Sequence, residues 1–562
     1  MQSLRLRVPS ARDAILRRQH GGTDDDAVHN NSMNIPLTPV RFVRRAARIF
    51  GNKTGVACGE TRFTYREFAE RCNRLSEALL NLGVKPGDRV AFLSFNCHRL
   101  LEAYYGVPQI SAILLPLNVR LSPEEIAYIL ADSAPRVLFF DTEFAAVIEA
   151  LLPKLACAEN CIPLQASGPE WAHPQTYDEL LAAAPPRQFD GLDIDENSVA
   201  ELFYTSGTTA HPKGVMLTHR NLYLHGLSVA HALQLSDADA GLYTVPLFHV
   251  NSWGAPHTLS LSGARHVILR RFDPANALDL IQSERVTQLQ MVPAMAIALI
   301  NHPGFRQFDV SSVKTLMVGG APSSPALIHQ LEERFPTASV AGGYGLTETS
   351  PVVTIAWIKD HLKNENEAKL LRRKATAGYV VAGVEARVVD DGGRDVRPDS
   401  HEVGEIIIRG DTVMAGYWNH PEETAHALHD GWLHTGDLAT VDEEGYILIV
   451  DRIKDMVLSG GENVATAEIE RVLSEHPAVL ECAVIAVPDP KWGEAAKALV
   501  TLRPDRAAAE EDLLVHCRQH LAGFKVPKSV EFRDSLPKSG TGKILKRVLR
   551  EPYWAGRARQ VQ

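Results

Sequence analysis

At 562 residues the chain is longer than one hydrophobic core normally supports, so a large body with at least one further domain is expected. Hydrophobic residues make up 45% of it, which excludes a disordered composition. The formal charge of -10 excludes the surplus of Lys and Arg that general nucleic-acid binding requires.

In chain order, residues 1–32 carry five arginines and then a polar run from Gly21 to Ser32, with no apolar signal-peptide core. A transit peptide is one reading; the blander reading is a disordered extension or an upstream start codon, because Met33 directly precedes the first globular segment. Thr64 to Leu82 has apolar residues at helical spacing, and Asp88 to Ser94 reads as a buried strand. Two uncharged runs follow, Ala103 to Val119 and Ala240 to Ala264. The first is too short for a membrane span and the second too polar, so both read as core or pocket lining and no integral membrane segment is expected. Helical stretches at Pro123 to Asp132, Ala275 to Glu284 and Pro325 to Phe335 alternate with β-rich runs such as Val137 to Phe140 and Thr315 to Val318. That alternation predicts an α/β multidomain fold with largely parallel sheets. After about residue 380, β signals with Gly turns crowd together, and from Lys454 onward a small α+β domain is expected. The predicted domains are 1–32, 33–453 and 454–562. Seven cysteines without a CxxC pair, and with no further ligands beside Cys157 and Cys161, fit a cytoplasmic setting.

Several segments carry chemistry. The strand Glu201 to Tyr204 runs into Thr205, Ser206, Gly207, Thr208, Thr209, Ala210, His211, Pro212, Lys213 and Gly214. Glycines let backbone N–H groups approach phosphate oxygens, hydroxyls add donors, and Lys213 adds positive charge. The spacing is not that of a Walker loop. Gly342, Gly343, Tyr344, Gly345, Leu346, Thr347, Glu348 and Thr349 form a second polar, glycine-rich segment. Further on lie Trp432 to Asp437, Asp451 to Asp455, Ser459 to Asn463, and the terminal Pro537 to Lys543.

These segments, in this order from about Pro36 to Arg550, resemble the motifs of the adenylate-forming superfamily, and of fatty acyl-CoA synthetases within it. Two departures are visible: Ala210 stands where the family has a third glycine, and Asp451 where it often has Gly, the latter read as a minor variant. The resemblance implies a large N-terminal domain of stacked α/β sheets with a distorted β-barrel subdomain, and a small mobile C-terminal domain hinged at Lys454. It implies ATP, Mg²⁺ and coenzyme A as cofactor and cosubstrates, and a small carboxylic acid as substrate. Thr205, Ser206, Gly207, Thr208, Thr209 and Lys213 would cradle phosphates. Gly343, Tyr344 and Gly345 would flank adenine, Thr347 the α-phosphate, Asp437 the ribose hydroxyls, and Arg452 the nucleotide. Glu348 would hold Mg²⁺ with ATP phosphates, and Lys543 would be the catalytic cation of adenylation, with Thr205 and Glu348 also catalytic. Gly460, Gly461 and Glu462 would border the pantetheine channel after rotation at Lys454.

The acyl pocket falls by the same resemblance on His249, Trp253, Gly319 and Gly320, with Trp253 a candidate gate. Amino-acid-activating relatives place Asp where this chain has His249, which argues against an amino-acid substrate. The expected activity is ATP-dependent synthesis of a fatty acyl-CoA, medium or long chain. An aryl-CoA ligase and a carrier-protein-loading enzyme are the rivals within the superfamily, and a non-catalytic nucleotide-binding scaffold the rival outside it. A homodimer and peripheral membrane association stay open.

Overall fold

The computed structural model describes residues 34–165, 168–205, 212–459, 462–538 and 544–555, and the compact unit treated below begins at Pro36. Among the described residues the strands form four sheets. The expected extension 1–32 lies outside the described residues.

The first sheet has nine strands, in the order Tyr379–Val380, Val352–Ile355, Ser339–Gly345, Thr315–Gly319, Gln288–Met291, Ala240–Leu242, Arg265–Ile268, Thr54–Cys58 and Thr61–Thr64. From Ser339–Gly345 to Thr54–Cys58 every pairing is parallel; the edges are antiparallel. The second sheet has seven strands, in the order Gly416–Tyr417, Lys213–Thr218, Val199–Thr205, Ile113–Pro116, Arg89–Leu93, Val137–Phe140 and Cys161–Pro163. It is parallel except at the Lys213–Thr218 and Gly416–Tyr417 end. Such strands are covered on both faces, which is why they read as unbroken apolar runs rather than alternating ones.

Helix boundaries follow from local chemistry. The helix Tyr65–Asn81 is closed by a capping box, in which Thr64 accepts from Glu67 N–H while the Glu67 carboxylate accepts from Thr64 N–H. Ser122 and Glu125 do the same for Pro123–Ser133. Of the two uncharged sequence runs, both are largely buried, and no helix among the described residues is long and apolar enough to cross a membrane.

In the place of the expected β-barrel subdomain lies a five-stranded antiparallel sheet built from Val384–Val389, Gly404–Gly410, Trp432–Val441, Leu428–His429 and Ile447–Arg452. The C-terminal domain has its own five-stranded sheet, centred on the long pair Val479–Asp489 and Gly493–Leu502. Its apolar core, from Val457 to Val530, is separate from the large core of the N-terminal part.

Candidate active site

Two pairs of glycines bring the nucleotide segments together. Gly319 pairs in parallel register with Gly343, so the ends of Thr315–Gly319 and Ser339–Gly345 lie side by side. A β-carbon at Gly342 would sit 2.4 Å from the Thr376 carbonyl oxygen, and one at Gly345 would sit 2.0 Å from that of Pro351. Backbone blocks both positions, so only glycine fits the packing there.

Tyr344 projects from the end of this strand, and its hydroxyl donates to Asp437 Oδ2 at 2.7 Å. Arg452 Nε meets the other oxygen, Oδ1, at 2.8 Å. Asp437 and Arg452 face each other across neighbouring antiparallel strands, in direct register. The Asp437 carboxylate is buried, and its charge is the first cause that raises the Arg452 pKa. Tyr344 is held well above the ordinary phenol value, by burial first and then by Asp437. A carboxylate has about four lone-pair positions, so two oxygens that each accept one bond still have capacity for the two hydroxyls of a ribose. Three residues from three strands, with Tyr344 lying 93 positions before Asp437, thus form one contact.

The segment that carries Asp437 is set by a residue the sequence reading overlooked. Glu405, on the adjacent strand, accepts from Gly436 N–H at 2.9 Å with one oxygen and lies 2.8 Å from His434 Nδ1 with the other. A lone Glu in a β-rich run gives no signal of such a task; its pairing with Leu438 across the strands places it there.

Glu348 lies in a short 3₁₀ turn after Leu346, and its Oε1 accepts from the Tyr417 hydroxyl at 2.9 Å. Burial, then the Glu348 carboxylate, raises the Tyr417 pKa. Lys213 Nζ stands 5.3 Å from the Tyr417 ring centroid and 4.0 Å from Glu423 Oε1. Lys213 also pairs with Thr205 across the hairpin. Thr205, Lys213, Tyr417 and Glu348 are therefore neighbours, and Thr347 is buried beside them in sequence. Ser206, Gly207, Thr208 and Thr209, between these two strands, lie outside the described residues, as do Gly460, Gly461 and Lys543. The residues flanking the last of these are described: Lys538 and Ile544 form an antiparallel bridge.

Trp253 sits in a turn of left-handed backbone. Val250, Asn251, Ser252, Trp253 and Gly254 have φ of 34°, 46°, 48°, 57° and 86°. Left-handed geometry costs about 1–2 kcal/mol per L-residue, so four non-glycine residues in a row need strong tertiary support. The Trp253 side chain is buried, and a β-carbon at Gly319 would lie 3.2 Å from its Cη2. The predicted acyl-pocket residues Trp253 and Gly319 thus touch, next to Gly343 of the nucleotide segment. Gly320 follows with φ 76°, and His249 precedes the turn at intermediate exposure. A small cavity adjoins the turn, walled by Leu233, Leu235, Leu242, Ala255 and Leu259 with uncharged polar neighbours.

At the junction with the C-terminal domain one reading needs correction. Asp451 is not a minor variant: its Oδ2 accepts from both the backbone N–H and, at 2.8 Å, the hydroxyl of Thr466, the first residue of the helix Thr466–Ser474. It caps the first helix of the C-terminal domain from the last strand of the preceding sheet. Lys546 Nζ donates to the same Thr466 hydroxyl at 2.7 Å and pairs with Glu470 at 2.8 Å. Lys454 lies in the turn just after, where burial foremost lowers its pKa, and its carbonyl accepts from Arg550 at 3.2 Å. Glu462 is exposed on the strand Glu462–Val464. Among the described residues the exposed Trp492 is a further candidate: Lys491 and Lys528 place Nζ 4.5 Å and 5.8 Å from its ring. Gly493, next to it, pairs with Ser459, which leads into Gly460.

With this geometry established, similarity to known proteins was found at every level. The model of the AMP-binding enzyme family matches residues 43–418, and that of the AMP-binding enzyme C-terminal domain matches 468–543. A long-chain-fatty-acid–CoA ligase of Thermus thermophilus is 39% identical over 541 residues, covering 94% of this chain and 98% of its own. A feruloyl-CoA synthase of Amycolatopsis is 40% identical over 510 residues, covering 91% and 98%. Among solved structures, ATP-bound MatB of Rhodopseudomonas palustris superposes with a TM-score of 0.82 at 28% identity, covering 92% and 99%.

Proposed function

Because this chain belongs to the AMP-binding enzyme family, as an acid–thiol ligase that forms acyl-CoA through an acyl-adenylate, we propose that its acid is a medium- or long-chain fatty acid. The observation that carries the choice of acid is the run Ala240 to Ala264 around Trp253, which has no Asp, Glu, Lys or Arg and is largely buried, a surround that suits an apolar tail. Similarity to the Thermus fatty-acid ligase over nearly the whole chain points the same way. An aromatic acid is the second reading, favoured by the equal likeness to a feruloyl-CoA synthase.

In the first half-reaction the acid carboxylate attacks the α-phosphorus of ATP and pyrophosphate leaves. Two anions meet, so the chemistry asks for positive charge and fixed dipoles rather than a base. Lys543 would bridge the carboxylate and an α-phosphate oxygen, and the loop from Thr205 to Lys213 would receive the pyrophosphate. Asp437, braced by Tyr344 and Arg452, would take the ribose. Glu348, whose half-buried carboxylate has one oxygen on Tyr417, would hold Mg²⁺ together with the ATP phosphates. That ion would offset phosphate charge.

In the second half-reaction a thiol attacks the mixed anhydride and AMP departs. Positioning and exclusion of water govern this step. Rotation about Lys454 would exchange Lys543 for Gly460 and Gly461, with Glu462 at the channel edge. Trp492, with Lys491 and Lys528 over its ring, would receive the adenine and phosphates at the far end of coenzyme A.

The test is AMP release with coenzyme A across short, medium and long fatty acids and aromatic acids. The expected result is kcat/KM at least tenfold higher for a fatty acid of eight or more carbons, where a few buried methylenes supply the difference at about 0.8 kcal/mol each. A higher value for cinnamic- or benzoic-type acids would reverse the order of the two readings.

A further inference from the structure

The carboxylate of Glu201 is fully buried in the middle of the seven-stranded sheet, four residues before Thr205, and nothing in the adenylation chemistry described above uses it. A carboxylate in such a place persists only where donors satisfy it. Both donors come from one element, the helical segment Val250–Ser262. Asn251 Nδ2 donates to Glu201 Oε2 at 2.9 Å, and His257 Nε2 lies 2.7 Å from Oε1. Both partners are themselves buried, and the His257 ring is fixed edge-on against Tyr104 and Tyr105 at centroid distances of 6.0 and 5.9 Å.

Asn251 is also a member of the left-handed turn. Its Oδ1 accepts from Gly254 N–H at 2.6 Å, so the side chain clamps the turn from inside while Glu201 holds it from the sheet. Ser252 Oγ adds a bond to the Val245 carbonyl at 2.8 Å. Trp253 lies between the two residues that Glu201 grips, at sequence positions 251 and 257, and within the strained backbone that needs such support.

We propose that Glu201 is a positioning residue of the acyl site: from the strand that leads into the phosphate loop, its carboxylate holds the left-handed turn in the conformation that presents Trp253 to the acid. The inference rests on Trp253 lining the acyl pocket, as proposed above. It makes the acid site depend on a buried residue of the strand that leads into the phosphate loop. Glutamine at 201 has nearly the same shape but presents an N–H to one of two donors, so one contact is lost and the turn loses its fixed geometry.

The experiment measures kcat and KM for the best acid and for ATP, together with the ranking of an acid panel, in wild type, Glu201→Gln, Trp253→Ala and the double variant. Glu201→Gln is expected to raise the KM for the acid about tenfold, as befits one charge-assisted bond, to reorder the acids, and to leave the KM for ATP within about twofold. In the Trp253→Ala background it should add nothing to the acid ranking. Equal increases in both KM values with an unchanged ranking, or additive effects in the double variant, would overturn the proposal as mere loss of structure. If Trp253→Ala reorders the acids and Glu201→Gln does not, this proposal alone fails; if Trp253→Ala leaves the ranking of an active enzyme unchanged, the pocket assignment fails and takes this proposal with it. Should Glu201→Gln not fold, Asn251→Ser removes one of the two contacts and carries the same expectations.

Discussion

The proposed nucleotide side and the proposed acyl side of this molecule meet at Gly319 and Gly343, yet they are built in opposite ways. On the nucleotide side ordinary strands deliver their ends to one place, and the polar groups they carry satisfy one another: Tyr344 and Arg452 on Asp437, Tyr417 on Glu348. On the acyl side the backbone itself is unusual, with four non-glycine residues in left-handed geometry, and buried polar groups behind it hold the conformation. A site of the first kind tolerates backbone adjustment but not the loss of a charge. One of the second kind should tolerate a change of side chain only while its supports remain.

The largest effect should come from Lys543, the proposed cation of the adenylation step. Lys543→Ala is expected to slow adenylation by about 10²–10³-fold, the range for removal of one preorganised transition-state donor. Thioester formation from a supplied acyl-adenylate should change little. Pyrophosphate exchange and single-turnover transfer, measured on the same protein, separate the two; equal losses in both would mean that Lys543 serves the fold and not the first step.

A smaller effect tests the resting contacts. Asp437→Asn keeps the shape but leaves the Arg452 guanidinium without its carboxylate, in a position where charge-assisted bonds contribute about 1.5–3 kcal/mol. The KM for ATP is therefore expected to rise about 10- to 100-fold, with the KM for the acid nearly constant. If both rise together, the two sides are not separable and the contrast drawn above is wrong.

These two sides also differ in how much of each could be read from the chain. Thr205 to Lys213, Gly342 to Thr349 and Trp432 to Asp437 are contiguous, so their resemblance to the family's motifs is readable before any fold is known. The alternation of strands and helices gave the layered α/β body for the same reason: hydrophobic period is a local property. Glu405 and Glu201 were not legible, because each meets its partners on another element, distant in sequence, and a single Glu in a strand has no local signature. Asp451 was misjudged as a minor variant because its partner, Thr466, belongs to the next domain. The turn at Val250 to Gly254 was illegible for a further reason: Val, Asn, Ser and Trp include a β-branched and a bulky aromatic residue, which local preference keeps out of left-handed backbone. Tertiary contacts override that preference, and no window of sequence contains them.

The smallest effect per residue concerns the histidines behind the acyl side. His225 stacks its ring where a β-carbon on Gly254 would lie, 2.5 Å from Cε1, and its Nε2 accepts from Val352 N–H at 3.0 Å. Burial, followed by the nearby His257, lowers its pKa to about 3, and the same two causes lower that of His219 to about 4. His266, between Tyr243 and Ser260, is lowered to about 3, by burial first. Each is neutral in the folded protein and takes up a proton near pH 6.5 when unfolded. The unfolded state therefore binds more protons below pH 6.5, so stability is full above that value and falls as the pH drops toward 4 and 3. Each histidine should contribute about 1 kcal/mol of lost stability per pH unit in that window. His225→Gln keeps an acceptor for Val352 and removes the titration, so its unfolding free energy, measured by urea titration at pH 6.5 and 5.5, should fall by about 1 kcal/mol less than that of the wild type. An identical fall in both proteins would mean that His225 can take its proton without unfolding, and that the support behind the Trp253 turn is looser than its burial implies.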